Sequence, residues 1–242
     1  MKKIILLSLV ALMTFSCKPV PPEKKIADIY KYFNNEKFEP VGLSSCTVDD
    51  LALALAADAD FEDLWTIDEE DGSCNLIGEI EGIKHPENTI VLSASLDNPE
   101  ACAAVIETMK AFRKLRIKPN STIKVAFYEP VVQIDSTVSS GMTTVARSIT
   151  EKNSNILFNL EMTQDQAIGK NTFEIGGEKA DFFNRIMEII PPYFSPYGNF
   201  SFTKGSDKDT LWPIAVPQYK FRPEGSMNQQ AAALSSFVFL MN

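Results

Sequence analysis

Histidine is all but missing: His85 is the only one among 242 residues. No pair of imidazoles can therefore share a zinc ion, and a Ser-His-Asp triad has one possible base. His85 precedes the apolar run "NTIVLSAS", which ends at Ser95. At about 3.3 Å per residue that stretch spans roughly 30 Å when extended, so His85 is expected at the opposite edge of a sheet from Ser95. That separation excludes the triad. Cysteine is scarce too, with 4 in the chain and no C-x-x-C spacing, which excludes a cysteine zinc site. No apolar run has the length of a membrane span. No basic stripe with interleaved aromatics offsets the formal net charge of -9. An acidic surface of this kind disfavours nucleic acid and anionic membrane as partners.

What is present begins with "MKK", followed by the apolar "IILLSLVALMTF" and then "SC". A cationic start and a short apolar core mark a secretory signal over residues 1–16. Ser16 before Cys17 looks like a bacterial lipoprotein signal, in which Cys17 is lipidated and becomes the new N-terminus. The expected location is the bacterial cell envelope, periplasmic or outer membrane, with the lipid anchor as the only membrane contact. "KPVPPEKK" then reads as an extended tether over residues 17–25, because proline opposes regular structure. Residues 26–242, within a chain that is 45% hydrophobic, suit one domain. Its three cysteines, Cys46, Cys74 and Cys102, permit one disulfide and one thiol, and the pairing stays open.

Helical spacing predicts helices over Lys24 to Phe33 and Val48 to Ala57, the second capped by Thr47. Acids between Asp58 and Asp71 read as a solvated loop. From Asn75 strand and helix signals alternate: "NLIGEIEG" and "NTIVLSAS" as strands, then "PEACAAVIETMKAFRKL" as a helix opened by Pro99. "STIKVAFYE", "SNILFNLE", "NTFEIGG" and "IAVPQYKF" read as further strands. "EKADFFNRIMEII" is a predicted helix stopped by Pro191 and Pro192, and "NQQAAALSSFVFLM" a closing one. The pattern predicts an α/β three-layer sandwich, with a mixed, mostly parallel central sheet flanked by helices.

Ligand sites in such sheets lie beyond the carboxyl ends of the strands. Those ends carry Asp97, Glu129, Glu161 and Asp207, with Ser95 and Lys208 beside them. Four acids can hold a hard cation or act as an acid/base pair, and they serve equally well as solvated loop carboxylates or helix caps. Trp65, Trp212, Phe182 and Phe183 read as core rather than as a binding platform.

From Asn75 onward the chain resembles the zinc-dependent aminopeptidases, a group that includes bacterial leucyl aminopeptidase and aminopeptidase Y. Glutaminyl cyclases and the transferrin receptor ectodomain share that fold. The resemblance rests on "CNLIGEIEGIKHPENTIVLSASLD", "ILFNLEMT" and "GSDKDTLWPIAVPQ", in collinear order. It implies that Ser95 stands where the family has its first zinc-ligand histidine, with the orienting acid kept as Asp97. The loop bearing the bridging Asp is missing, because Asn98 and Pro99 lead straight into the helix. The Glu-Glu pair of general base and ligand falls on Val131 and Val132, or on Glu129 and Pro130 in a shifted alignment. Glu161 keeps the next ligand in kind, and the last ligand histidine is Lys208.

What the resemblance implies is therefore a peptidase-like domain without zinc or any other cofactor. The expected role is to bind or scaffold a peptide, glycan or protein partner, as a pseudoenzyme. Two alternatives stay open: a hydrolase of altered chemistry built on the strand-end carboxylates, and an active zinc aminopeptidase with ligands from elsewhere.

Overall fold

The structure is a computed structural model, and it describes residues 20–42, 47–59, 61, 63–68, 74–130, 132–134, 137–139, 141–151, 155–162, 171–176, 186, 188–197, 200–204, 218–222 and 225–242. The signal segment, Cys17, Cys46, Val131 and the loop carrying Asp207 and Lys208 lie outside them, as do Trp212, Phe182 and Phe183.

Helix α1 spans Pro22–Phe33 and buries Ile26, Ile29, Tyr30 and Phe33, an apolar stripe at helical spacing. The extended tether expected through residue 25 thus ends at Pro21. Proline is favoured in the first turn of a helix, where its missing N–H has no partner to lose. Helix α2, Val48–Ala54, is capped as expected: the Thr47 side chain accepts from the Asp50 N–H. A π-helical turn, Leu55–Ala59, carries it on.

The acid-rich stretch that reads as a solvated loop contains strand β1, Asp63–Asp68, in antiparallel register with β2, Cys74–Ile80. Leu64, Trp65 and Ile67 are partly buried between the acids, and this packing outweighs the local charge. Strand β3 is His85–Ser95, helix α3 is Pro99–Lys114, and β4 is Ser121–Tyr128. A hairpin of β5, Val132–Ile134, and β6, Thr137–Ser139, leads to α4, Gly141–Glu151. Then come β7 (Asn155–Met162), β8 (Asn171–Gly176), α5 (Pro191–Phe194), a 3-10 turn (Ser195–Tyr197), β9 (Phe200–Lys204), β10 (Gln218–Arg222) and α6 (Met227–Met241). Here Pro191 and Pro192 open a short helix instead of only stopping one.

The main sheet has eight strands in the order β1-β2-β4-β3-β7-β10-β8-β9. It is mixed, and four of its seven described pairings are parallel. The centre, β4-β3-β7-β10, is parallel throughout, whereas β1, β2 and β4 are joined antiparallel, as are β10 and β8. At the far flank β8 and β9 pair parallel, and β1 and β2 follow one another in the chain, a short connection that only antiparallel strands allow.

Alternation along the central strands sends side chains to two cores. Ile90, Leu92 and Ala94 of β3, Ile123, Val125 and Phe127 of β4, and Phe158 and Leu160 of β7 pack toward α3 and α6. Val91, Ala126 and Tyr128 face the other way, against Val145, Ala146 and Ile149 of α4. Helix α1 lies outside α3 and α6, closing a third cluster over Ala111, Ala231 and Ala232.

Candidate functional site

Because β3, β4 and β7 are parallel neighbours, their carboxyl ends meet at one margin of the sheet. Ser95 is registered with Tyr128, and Ser93 with Glu161. The period of two places Ser95, Tyr128 and Glu161 on the α4 face, opposite Ala94, Phe127 and Leu160. The sequence reading therefore brings Ser95 and Glu161 to the same place. His85 is registered with Ser121, at the far end of β3, so it is removed from Ser95 as its position before the run implies.

At this margin the Tyr128 hydroxyl donates to Glu161 Oε1 at 2.8 Å. Burial, then the Glu161 charge and this hydrogen bond, push the Tyr128 phenol well above its ordinary range, with smaller contributions from Asp97 and Cys102. A phenol so placed keeps its proton and serves as a fixed donor to the carboxylate. Ser95 Oγ is buried and has no hydrogen-bond partner among the described residues. Below the pair, Ser93 Oγ donates to Asn159 Oδ1 at 2.9 Å, extending the polar face into the sheet.

The turn after β3 shows why no loop intervenes here. The Asn98 N–H donates to the Ser95 carbonyl, and Asn98 Oδ1 accepts from the Ala101 N–H, so the strand passes directly into α3. Asp97 is exposed in that turn. Glu129 follows β4, half-buried, with its N–H donating to Oδ1 of the buried Asn75. Val132 opens β5. Cys102, buried in α3, directs its Sγ to the Ser95 carbonyl at 3.4 Å. Cys74 and Cys102 are not bonded to each other, and Cys46 lies outside the described residues.

Zinc takes three or four nitrogen, sulfur or carboxylate donors around a tetrahedron. Among the described residues no group of three or more His, Cys, Asp or Glu side chains comes together. The margin offers a hydroxyl, a phenol and the carboxylate that the phenol engages, without an imidazole. Among the described residues these three groups alone do not complete the coordination of zinc.

Tyr128, Asn75 and Cys102 carry the local geometry, and sequence reasoning assigns none of them a role. Their one signal is position, since Tyr128 is the last residue of an apolar strand and immediately precedes an acid.

No protein-family profile matches the sequence, and no curated protein matches it. Solved structures do match its fold. An Acidobacteriales bacterium glutaminyl cyclase aligns over 93% of this chain and 96% of its own, with a TM-score of 0.56 at 15% identity. A Bacteroides vulgatus protein assigned as a zinc-dependent exopeptidase aligns over 89% and 94%, with a TM-score of 0.53 at 15% identity. The LapA aminopeptidase of Legionella pneumophila aligns over 90% of this chain and 69% of its own, with a TM-score of 0.56 at 11% identity. At such identities the likeness is one of fold. The chain has the α/β fold that zinc exopeptidases, aminopeptidases and glutaminyl cyclase share.

Proposed function

We propose that this is a non-hydrolytic protein of the aminopeptidase fold, held in a bacterial envelope through Cys17, that binds a peptide, glycan or protein partner. One observation carries the reading: Glu161, the acid that the resemblance aligns with a metal ligand, accepts a hydrogen bond from the phenol of Tyr128 beside a serine. Activating water requires a base poised near neutral pH or a metal that lowers the water's pKa. A carboxylate held by a phenol and a neutral hydroxyl supply neither.

The test is zinc titration of the purified full chain by calorimetry, followed by elemental analysis and assays on aminoacyl anilides and N-terminal glutaminyl peptides. No stoichiometric zinc and no turnover are expected. One bound zinc per chain, or turnover lost in Glu161→Ala, overturns the proposal.

One observation favours a second reading, a hydrolase of altered chemistry: the buried Ser95 hydroxyl near Glu161, without a hydrogen-bond partner among the described residues. A nucleophilic serine would react with a fluorophosphonate probe and lose that label in Ser95→Ala. We expect no label in either protein.

A further inference from the structure

Away from the strand ends, a cavity of about 450 Å³ lies between the start of α1 and residues 188–197. That volume is in the range of ligand pockets, roughly 300–1,000 Å³. None of its lining residues belongs to β3, β4 or β7.

Its walls are fixed from behind. Ile190 and Phe194 are buried in the main core, which turns Ile189, Pro192 and Pro196 outward. Tyr197 stacks on Tyr30 with ring centroids 3.9 Å apart and planes 6° from parallel, so α1 and the 3-10 turn are clamped together. Ile26, Tyr193 and Tyr197 complete an aliphatic and aromatic lining. Ile189 stays 53% exposed at the rim.

The charge at this groove has one sign. Glu23 enters from α1 and Glu188 from the opposite segment, and no lysine, arginine or histidine is among its described lining residues. Glu23 complements the positive end of its helix, which accounts for one acid but not for its counterpart across the groove. Of the two cations in the first turns of α1, Lys25 directs its Nζ toward the Leu115 carbonyl beside α3, and Lys24 is exposed and not among the lining residues.

We propose that this groove binds an extended peptide segment of a partner protein, bearing a lysine or arginine next to proline or apolar residues. Proline-containing segments lie against aromatic-lined grooves with little loss of chain entropy, and the two carboxylates select the cation. Exposed aliphatic surface from Ile189 suits a side chain better than a sugar face. The inference is independent of the strand-end reading and holds even if that margin were catalytic.

The test selects a surface-displayed library of random decapeptides on the full chain, then titrates the best binder by fluorescence anisotropy. Enriched peptides should carry Lys or Arg beside proline or apolar residues. Affinity should fall roughly three- to tenfold in the E23Q/E188Q double variant and weaken as salt is raised. Ile189→Ser should weaken binding without altering the salt dependence. These positions are exposed, and unchanged melting temperatures confirm that the variants fold. Failure to enrich any peptide, enrichment of acidic or uncharged ones, or binding indifferent to these variants overturns the proposal. Occupation of the groove by neutral chitohexaose in place of peptide does so as well.

Discussion

Tyr128 and Glu161 are 33 residues apart in the chain, yet a hydrogen bond joins them at the sheet margin. Replacing Tyr128 with phenylalanine removes the donor and leaves the carboxylate partly buried. Urea unfolding should show a loss of about 1–2 kcal/mol. The same group sets an alkaline limit. Burial holds the Tyr128 and Tyr30 phenols above the ordinary value of about 10, so the native state keeps protons that the unfolded state releases. Their contribution is therefore complete below pH ~10 and is lost as pH rises beyond it. Phenolate absorbance during an alkaline titration should show these two of the 6 tyrosines ionising only with unfolding, and only one of them in Tyr128→Phe. Ser95 and Glu161 were legible because strand ends can be read from apolar runs. The same reading marks Tyr128 as a strand end but gives it no role, because a tyrosine closing such a run looks like core until its distant partner is placed beside it.

At the scale of elements, two junctions position the margin. Asn98 both ends β3 and caps α3, so Asn98→Ala should cost about 0.5–2 kcal/mol. Gly141 begins α4 against the exit of β4, where a Cβ would meet the Asn75 amide oxygen and stand 2.8 Å from the Glu129 backbone nitrogen and oxygen. Those backbone atoms cannot yield cheaply. Gly141→Ala should therefore lower stability by about 1–3 kcal/mol, read from the denaturation midpoint. Helix α4 itself escaped the sequence reading. "GMTTVARSITE" is rich in β-branched residues with modest helix propensity, and burial of Val145, Ala146 and Ile149 overrides that preference. The β5–β6 hairpin escaped for another reason: strands of three residues are too short to show a period. The long central strands and α6 were readable because each buries a continuous apolar stretch.

Among the described residues, apolar side chains cover both faces of the central strands, and a fold built on them is expected to need no metal. Scanning calorimetry should give the same melting temperature with and without a chelator; a drop on chelation would show a bound ion stabilising the native state. The outermost strand bears on a different property. Among the described strands β1 pairs with β2 alone, at the edge of the sheet, and it begins with an exposed aspartate in the acid-rich stretch from Asp58 to Asp71. An open strand margin is a template on which a second copy can add, and like charge on both copies keeps them apart. What reads in the sequence as surplus acid is thus a colloidal safeguard, letting copies of the protein remain dispersed at high concentration.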